Sequence, residues 1–116
     1  MRYERLGKTE MQVSILALGT WAFGGDWRSF DEGEAKAAIH VALDRGVTLF
    51  DTAQGYGFGV SERLLEGALW ERVKREEVIV ATKGGLRQDG DNLLRDLSAS
   101  WLRQGVESSL RNLNTD

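Results

Sequence analysis

The sequence of 116 residues has no cysteine, no proline and a single histidine. Without cysteine, the chain has no disulfide bonds and no thiolate chemistry. No apolar run approaches the roughly 20 residues that a membrane-spanning helix needs, and residues 1–10 lack the apolar core of a secretory signal. We therefore expect a cytoplasmic protein that does not bind a membrane.

Charge of one sign is not concentrated anywhere in the chain. The 15 lysine and arginine residues are set against 18 aspartate and glutamate residues, which gives a formal net charge of -3. A nucleic-acid partner is therefore not expected. The hydrophobic fraction of 41% and the charged fraction of 28% are ordinary for a globular protein, and the length suits one modest domain.

Apolar runs typical of strands alternate with amphipathic helical patterns along the chain. Strands are predicted at 12–20, 47–51 and 78–83, and the helices are predicted to begin at Asp31, at Ser61 and at Ser98 or Ser100. The third helix has an apolar stripe at Leu102, Val106, Leu110 and Leu113. The segment that begins at Gly84 is interpreted as a polar loop. Strands that alternate with helices predict crossover units on a parallel sheet, which is an α/β fold.

Chemically distinctive residues follow the strands, at the edge where the carboxyl ends of parallel strands meet. They are Gly19, Thr20 and Trp21 after the first strand, Asp51 and Tyr56 after the second, and Lys83 after the third. Adjacent strands lie about 4.8 Å apart. Asp51 and Lys83 can therefore form an ion pair, with Tyr56 folding back over them.

A carboxylate, an ammonium group and a phenol together support proton transfer. A tyrosine hydroxyl has a reference pKa near 10, and a neighbouring ammonium group stabilises its phenolate form. A carboxylate holds the ammonium in place, so the tyrosine can donate a proton to a carbonyl oxygen or take it back. The trio has no nucleophile and no metal, so a hydride donor would have to be a cofactor. Taken alone, an aspartate or a lysine after a strand is more often a turn former or a solvated end.

The glycine-rich segment GYGFG at 55–59 raises the question of a phosphate-binding turn. Its glycine spacing differs from the G-x-G-x-x-G of dinucleotide-binding turns, and the next strand ends in Lys83 rather than in an acidic residue. We interpret these glycines as giving a flexible, close-approach loop that lets Tyr56 point into the site. A Rossmann-type turn is the minor alternative.

The loop after the first strand is unusually aromatic. It contains Trp21, Phe23, Trp27 and Phe30. Apolar side chains on a surface loop can form one wall of a substrate pocket. We assign that role to Trp21 and interpret the other three as packing residues.

Four segments resemble the aldo-keto reductases, in the same order and over nearly the whole chain. They are LGKTEMQVSILALGTWAFGG, GVTLFDTAQGYGFGVSERLLEGAL, EEVIVATKGG and VESSLRNLNTD. The combination of FDTAQGYG, the following SE and the ATK at 81–83 is specific. The resemblance implies an NAD(P)H-dependent oxidoreductase that interconverts aldehydes or ketones and alcohols on a (β/α)8 TIM barrel. Residues 1–116 would form the first three βα units, after a short hairpin at 2–14 that closes the barrel bottom.

The resemblance also implies roles for individual residues. Asp51, Tyr56 and Lys83 would be three members of a catalytic tetrad, in which Tyr56 is the general acid and base, Lys83 its cationic partner and Asp51 the charge that steadies Lys83. Cofactor contacts would come from Gly19, Thr20, Trp21 and Asp51. Trp21 and Tyr56 would form the substrate pocket. The cofactor would be NADP(H), with NAD(H) as the alternative, and the partner would be a small-molecule carbonyl compound.

The family's tetrad also needs a histidine at the end of a fourth strand. The one histidine here, His40, lies within the first predicted helix. We therefore expect that the chain stops before strand 4, that it is inactive alone, and that substrate choice lies largely in loops outside it. Exposed strand edges would then allow self-association. Two alternatives stay open: a cofactor-binding regulatory member that resembles channel subunits, and an inert fragment.

Overall fold

The computed structural model describes residues 1–25 and 30–116 and shows an α/β arrangement. Its strands and helices are β1 (Tyr3–Arg5), β2 (Gln12–Ser14), β3 (Ala17–Gly19), α1 (Glu32–Asp44), β4 (Leu49–Asp51), α2 (Val60–Leu69), β5 (Ile79–Ala81), β6 (Leu86–Asp89), β7 (Asn92–Arg95) and α3 (Ala99–Leu113). Short 3-10 helices cover Trp21–Gly24 and Arg75–Glu77. Trp27 lies outside the described residues. In the part of the chain that is described, no helix is long and apolar enough to cross a membrane.

A parallel three-stranded sheet forms the centre of the molecule, with β4 between β3 and β5. Helix α1 connects β3 to β4, and α2 connects β4 to β5, as the alternating pattern predicted. Gly19, Asp51 and Ala81 are aligned across the three strands. The expectation that the carboxyl ends of the strands meet at one edge is therefore confirmed.

An antiparallel hairpin of β1 and β2 precedes the sheet, as the resemblance implied. The single strand predicted at 12–20 is wrong, because its first part pairs with β1 and only Ala17–Gly19 joins the parallel sheet. Ser14 explains the break. Its hydroxyl group donates to the carbonyl of Leu16 at 2.6 Å and accepts from the N–H of Thr48 at 3.0 Å. These bonds fix the hairpin to the start of β4, at the opposite end of the sheet from the strand carboxyl ends.

The apolar core lies between the sheet and the helices α1 and α2. Its largest fully buried apolar side chains are Ile39, Phe50, Leu65 and Leu69. Burying one such side chain contributes about 1.5–3 kcal/mol, so this cluster anchors β4 firmly against both helices. Asp31 caps α1 as predicted, since its carboxylate accepts from the N–H of Glu34 at 2.8 Å.

Helix α2 begins differently from the prediction, because Ser61 is not its cap. Gly59, with a φ of +97°, occupies the cap position and provides no side-chain hydrogen bond. Ser61 lies inside the first turn and is fully buried. The chain enters the helix from a left-handed turn, which a glycine adopts without steric cost.

Helix α3 is capped by Ser98, whose hydroxyl group accepts from the N–H of Trp101 at 3.3 Å. Its predicted apolar stripe is only partly buried, since Leu113 is 4% exposed but Val106 is 57% exposed. The helix meets α2 through an adjoining polar face instead, where Ser109 bonds to Glu62. A hydrophobic stripe therefore predicted the helix correctly but not the face that it buries.

The segment after Gly84 contains a β-hairpin rather than the predicted polar loop. Strands β6 and β7 pair from Leu86 opposite Arg95 to Asp89 opposite Asn92. Gly90, with a φ of +57°, takes the first of the two turn positions, where type II′ turns place glycine. The Gly90-Asp91 pair between two runs of strand length was the available signal, and the polar composition of the segment obscured it.

Candidate active site

The ammonium group of Lys83 lies at the centre of the candidate site. Its Nζ donates to Oδ1 of Asp51 at 2.6 Å and to the carbonyl oxygen of Thr52 at 2.7 Å. The same Nζ is 5.1 Å from the ring centroid of Tyr56, which is within the range of a cation–π contact. The structure thus brings together the three side chains that the sequence predicted to converge.

Trp21 adds an aromatic wall to this group. Its ring stacks on the ring of Tyr56, with centroids 6.1 Å apart and planes inclined by 20°. Trp21 is 49% exposed and begins the 3-10 helix that follows β3. Trp21 therefore lies beside the phenol of Tyr56 and lines the same pocket as Lys83.

The surroundings of Lys83 favour its charged form. Partial burial lowers the pKa of Lys83, but the neighbouring Asp51 carboxylate and Tyr56 phenol outweigh burial, so the pKa is raised above the ordinary value of 10.5. The side chains of Lys83 and Asp51 are 49% and 47% exposed. Solvent screens such a pair, so it contributes little to stability. Its significance lies in the positive charge that it holds beside Tyr56.

Two glycines allow the Tyr56 loop to pack against the 3-10 helix. A Cβ atom on Gly24 would lie 2.6 Å from the carbonyl carbon of Tyr56, and one on Gly57 would overlap the carbonyl oxygen of Gly24. The N–H of Tyr56 donates to the carbonyl of Ala53 at 3.1 Å, and the carbonyl of Tyr56 accepts from the N–H of Ser61 at 3.2 Å. The close approach predicted for this loop is confirmed, and it fixes the backbone of Tyr56.

Thr20 is fully buried, unlike its exposed neighbour Gly19. The hydroxyl group of Thr20 donates to the carbonyl oxygen of Asp51 at 3.1 Å and accepts from the hydroxyl of Ser61 at 2.7 Å. The Ser61 hydroxyl is also 3.1 Å from the hydroxyl of Thr52. These bonds connect the ends of β3 and β4 to the first turn of α2. A direct contact between Thr20 and a cofactor would require the surrounding residues to move.

Sequence reasoning missed a buried carboxylate next to the site. Glu62 has no exposed surface and accepts hydrogen bonds from Thr82 at 2.8 Å, Ser109 at 2.7 Å and Asn112 at 2.8 Å. Thr82 immediately precedes Lys83, so Glu62 connects α2 to the segment that carries the lysine and to α3. No local pattern revealed this role, because two of the three partners lie on α3, far along the chain.

A pocket of about 440 Å³ opens beside the trio. Its lining includes Trp21, Tyr56, Phe58, Lys83, Leu86 and Leu93. The two predicted pocket residues, Trp21 and Tyr56, are both present. The hairpin β6–β7 contributes an apolar wall that the sequence did not predict. A larger surface groove, of about 560 Å³, runs between α1 and α2 and contains none of the trio.

Comparison with known proteins identifies the family and agrees with the fold. The sequence profile of the Aldo/keto reductase family matches residues 15–116. The chain belongs to this family of oxidoreductases. The aldo-keto reductase YhdN of Bacillus subtilis (strain 168) is 42% identical over 117 residues, which cover 100% of this chain and 35% of that protein. The NADH-specific methylglyoxal reductase of Escherichia coli (strain K12) is 36% identical over 124 residues, which cover 96% of this chain and 38% of that protein.

Solved structures give the same result. The aldo-keto reductase AKR11C1 from Bacillus halodurans, in its holo form, has a TM-score of 0.87 and 31% identity, and the match covers 100% of this chain and 37% of that chain. A protein of Arabidopsis thaliana named as a probable voltage-gated potassium channel subunit beta is 32% identical over 117 residues, covering 100% of this chain and 35% of that protein. The chain therefore spans a little over a third of the length of these relatives.

Proposed function

We propose that the protein is a nicotinamide-dependent reductase that interconverts aldehydes or ketones and alcohols at the pocket beside Lys83. One observation carries the proposal: a single ammonium group lies 2.6 Å from the Asp51 carboxylate and 5.1 Å from the centroid of the Tyr56 ring. We also propose that β3, β4 and β5 are the first three strands of a (β/α)8 barrel. The structural likeness to the Bacillus halodurans aldo-keto reductase supports this placement.

Tyr56 is the proton donor in this proposal. Negative charge develops on the carbonyl oxygen during reduction, and a positioned acid lowers the barrier by protonating that oxygen. The O–H bond of Tyr56 breaks as the new O–H bond of the alcohol forms. In the direction of alcohol oxidation, the phenolate takes the proton back.

Lys83 and Asp51 support this proton transfer without exchanging the proton themselves. The ammonium of Lys83 stabilises the negative charge left on the phenol oxygen. Because the pKa of Lys83 is raised, the ammonium is charged throughout the neutral range. The carboxylate of Asp51 and the carbonyl of Thr52 hold Nζ from two directions, which fixes the charge beside Tyr56.

The residues around the pocket fit the nicotinamide end of a dinucleotide cofactor. Trp21 lines the pocket beside Tyr56, and the Asp51 carboxylate offers acceptors for a ribose hydroxyl group. A bound reduced nicotinamide would supply the hydride that none of the three side chains can provide. NADP(H) and NAD(H) share this end, and either cofactor satisfies the proposal.

The sharpest test replaces Tyr56 with phenylalanine in the full-length protein. The substitution removes the hydroxyl group that donates the proton but keeps the ring. We therefore expect the rate of aldehyde reduction to fall by about 10²–10⁴-fold. Nicotinamide binding, followed by fluorescence titration, should be unchanged. Tyr3→Phe is the matched control, because Tyr3 lies in the β1–β2 hairpin, where its hydroxyl donates to the carbonyl of Gly46. An unchanged rate in Tyr56→Phe would contradict the proposal.

The same assay separates the reductase from the regulatory alternative. A wild-type protein that binds the nicotinamide cofactor but reduces no aldehyde or ketone would favour a channel-subunit-like role. The contacts of Lys83 with both Asp51 and Tyr56 support the reductase.

A further inference from the structure

The pocket beside Tyr56 has an apolar wall that the proton-transfer chemistry does not use. Three side chains form it: Phe58 from the Tyr56 loop, Leu86 from β6 and Leu93 from β7. Leu93 is 61% exposed and Phe58 is 42% exposed. Single exposed apolar residues need no explanation, but apolar side chains that converge on the cavity of a candidate active site do.

The strand register places both hairpin leucines on the same face. In an antiparallel pair, directly opposite residues share a face, and alternate residues along each strand return to it. Gln88 lies opposite Leu93 and is two residues from Leu86. Leu86 and Leu93 therefore both point toward the pocket side. Leu94 lies opposite Arg87 on the other face.

The base of the hairpin is held in place against the site. The indole N–H of Trp101 donates to the carbonyl of Leu86 at 3.0 Å, and the N–H of Asp96 donates to the carbonyl of Gly85 at 2.9 Å. A Cβ atom on Gly55 would lie 2.9 Å from Cδ1 of Leu86, so the hairpin packs directly on the loop that carries Tyr56.

Phe58 is kept in a backbone conformation that a bulky residue rarely adopts. Its φ is +46°, in the left-handed region where a Cβ atom is disfavoured. A glycine would adopt this conformation more easily, as its neighbours Gly57 and Gly59 do. Strained backbone of this kind clusters at ligand-binding sites, and here it places an aromatic ring at the pocket.

We propose that Phe58, Leu86 and Leu93 form a subsite for an apolar substituent of the carbonyl substrate. The subsite selects aldehydes and ketones that carry an aryl or branched alkyl group over small hydroxylated ones. This inference rests on the proposed reductase function. It adds that residues of this chain determine part of the substrate specificity. Apolar contacts of this size discriminate between substrates by about tenfold to hundredfold.

The test measures kcat/KM of the full-length protein for benzaldehyde and for glycolaldehyde. In Leu93→Ser we expect the benzaldehyde-to-glycolaldehyde ratio to fall about tenfold, mainly through a higher KM for benzaldehyde. Leu94→Ser is the matched control, because it makes the same change on the opposite face of the hairpin, and its ratio should equal that of the wild type.

A second variant guards against a purely structural effect. Phe58→Gly suits a φ of +46° and removes the ring, so the thermal midpoint should not fall by more than a few degrees while the ratio falls as in Leu93→Ser. Wild-type activity with ratios that both variants leave unchanged would overturn this inference alone. The inference would also be overturned if the two variants bound the nicotinamide cofactor more weakly and left the benzaldehyde-to-glycolaldehyde ratio unchanged. The apolar wall would then contact the cofactor rather than the substrate. A wild type that reduces neither aldehyde would overturn the reductase proposal and the subsite with it.

Discussion

The buried carboxylate of Glu62 accepts a hydrogen bond from the hydroxyl group of Thr82, the residue immediately before Lys83, at 2.8 Å. The same carboxylate accepts from Ser109 and Asn112 of α3. One side chain of α2 therefore holds both the lysine-bearing segment and the last helix of the chain.

Removing this carboxylate should destabilise the protein strongly. In Glu62→Ala, Thr82, Ser109 and Asn112 lose their acceptor, and of these Ser109 is buried. An unsatisfied buried group costs about 1–3 kcal/mol. We expect the free energy of unfolding of the full-length protein, measured with urea, to fall by about 1–3 kcal/mol. Glu62→Gln keeps one oxygen acceptor and should lose less than half as much. Equal losses in the two variants would contradict a role based on these hydrogen bonds.

Glycine at position 24 should matter for activity because of the Tyr56 backbone. In Gly24→Ala the new Cβ atom would meet the Tyr56 carbonyl carbon at 2.6 Å, so the loop must shift. We expect at least a tenfold loss of kcat/KM for an aldehyde substrate, since small displacements of catalytic groups are costly. Gly67→Ala is the control, because nothing lies within 4 Å of that Cβ position, and an alanine within α2 should stabilise by about 0.5–1 kcal/mol. Similar activity in the two variants would contradict the packing argument.

The charge of Lys83 gives a pH dependence with a defined sign. Burial lowers its pKa, but the neighbouring Asp51 and Tyr56 raise it to a value above 10.5, so the folded state holds this proton more tightly than the unfolded chain does. The resulting stability is fully present below about pH 10.5 and is lost as the pH rises through the folded pKa. The difference in unfolding free energy between wild type and Lys83→Met should therefore stay constant between about pH 6 and 9. A difference that disappears by about pH 8 would show that the lysine pKa is lowered instead.

The 116-residue chain should self-associate when it is prepared alone. Among the described residues, β3 and β5 each pair on one side only, and Leu16, beside β3, is 61% exposed. Unpaired strand edges promote association, and a charged side chain at the edge opposes it. Size-exclusion chromatography with light scattering should show oligomers that increase with concentration and decrease in Leu16→Lys. A concentration-independent monomer would contradict this expectation.

The meeting of Asp51 and Lys83 could be predicted because parallel pairing fixes where neighbouring strands end. The position of Tyr56 followed from the glycine-rich loop after β4, which the close packing of Gly24 and Gly57 bears out. The local sequence was sufficient to predict the positions of these residues, because each lies within a few positions of a recognisable strand.

The remaining features depend on partners that are distant along the chain. The break after Ser14 is set by its bonds to Thr48, 34 residues away. The burial of Ser61 depends on the hydroxyl of Thr20, 41 residues away. The hairpin β6–β7 had a local turn signal, but its polar strands gave no clear alternation and concealed the apolar face toward Tyr56.

The alignment of Gly19, Asp51 and Ala81 has a consequence for how related genes can diverge. Side chains alternate between the two faces of a strand, so one inserted or deleted codon within Leu49–Asp51 would turn Asp51 away from Lys83 and move Phe50 out of the interior together. Insertions and deletions among related sequences should therefore occur in connections such as the turn at Gly90 and be rare in β4. A change of length in β4 would therefore affect the catalytic site and the stability of the fold at the same time.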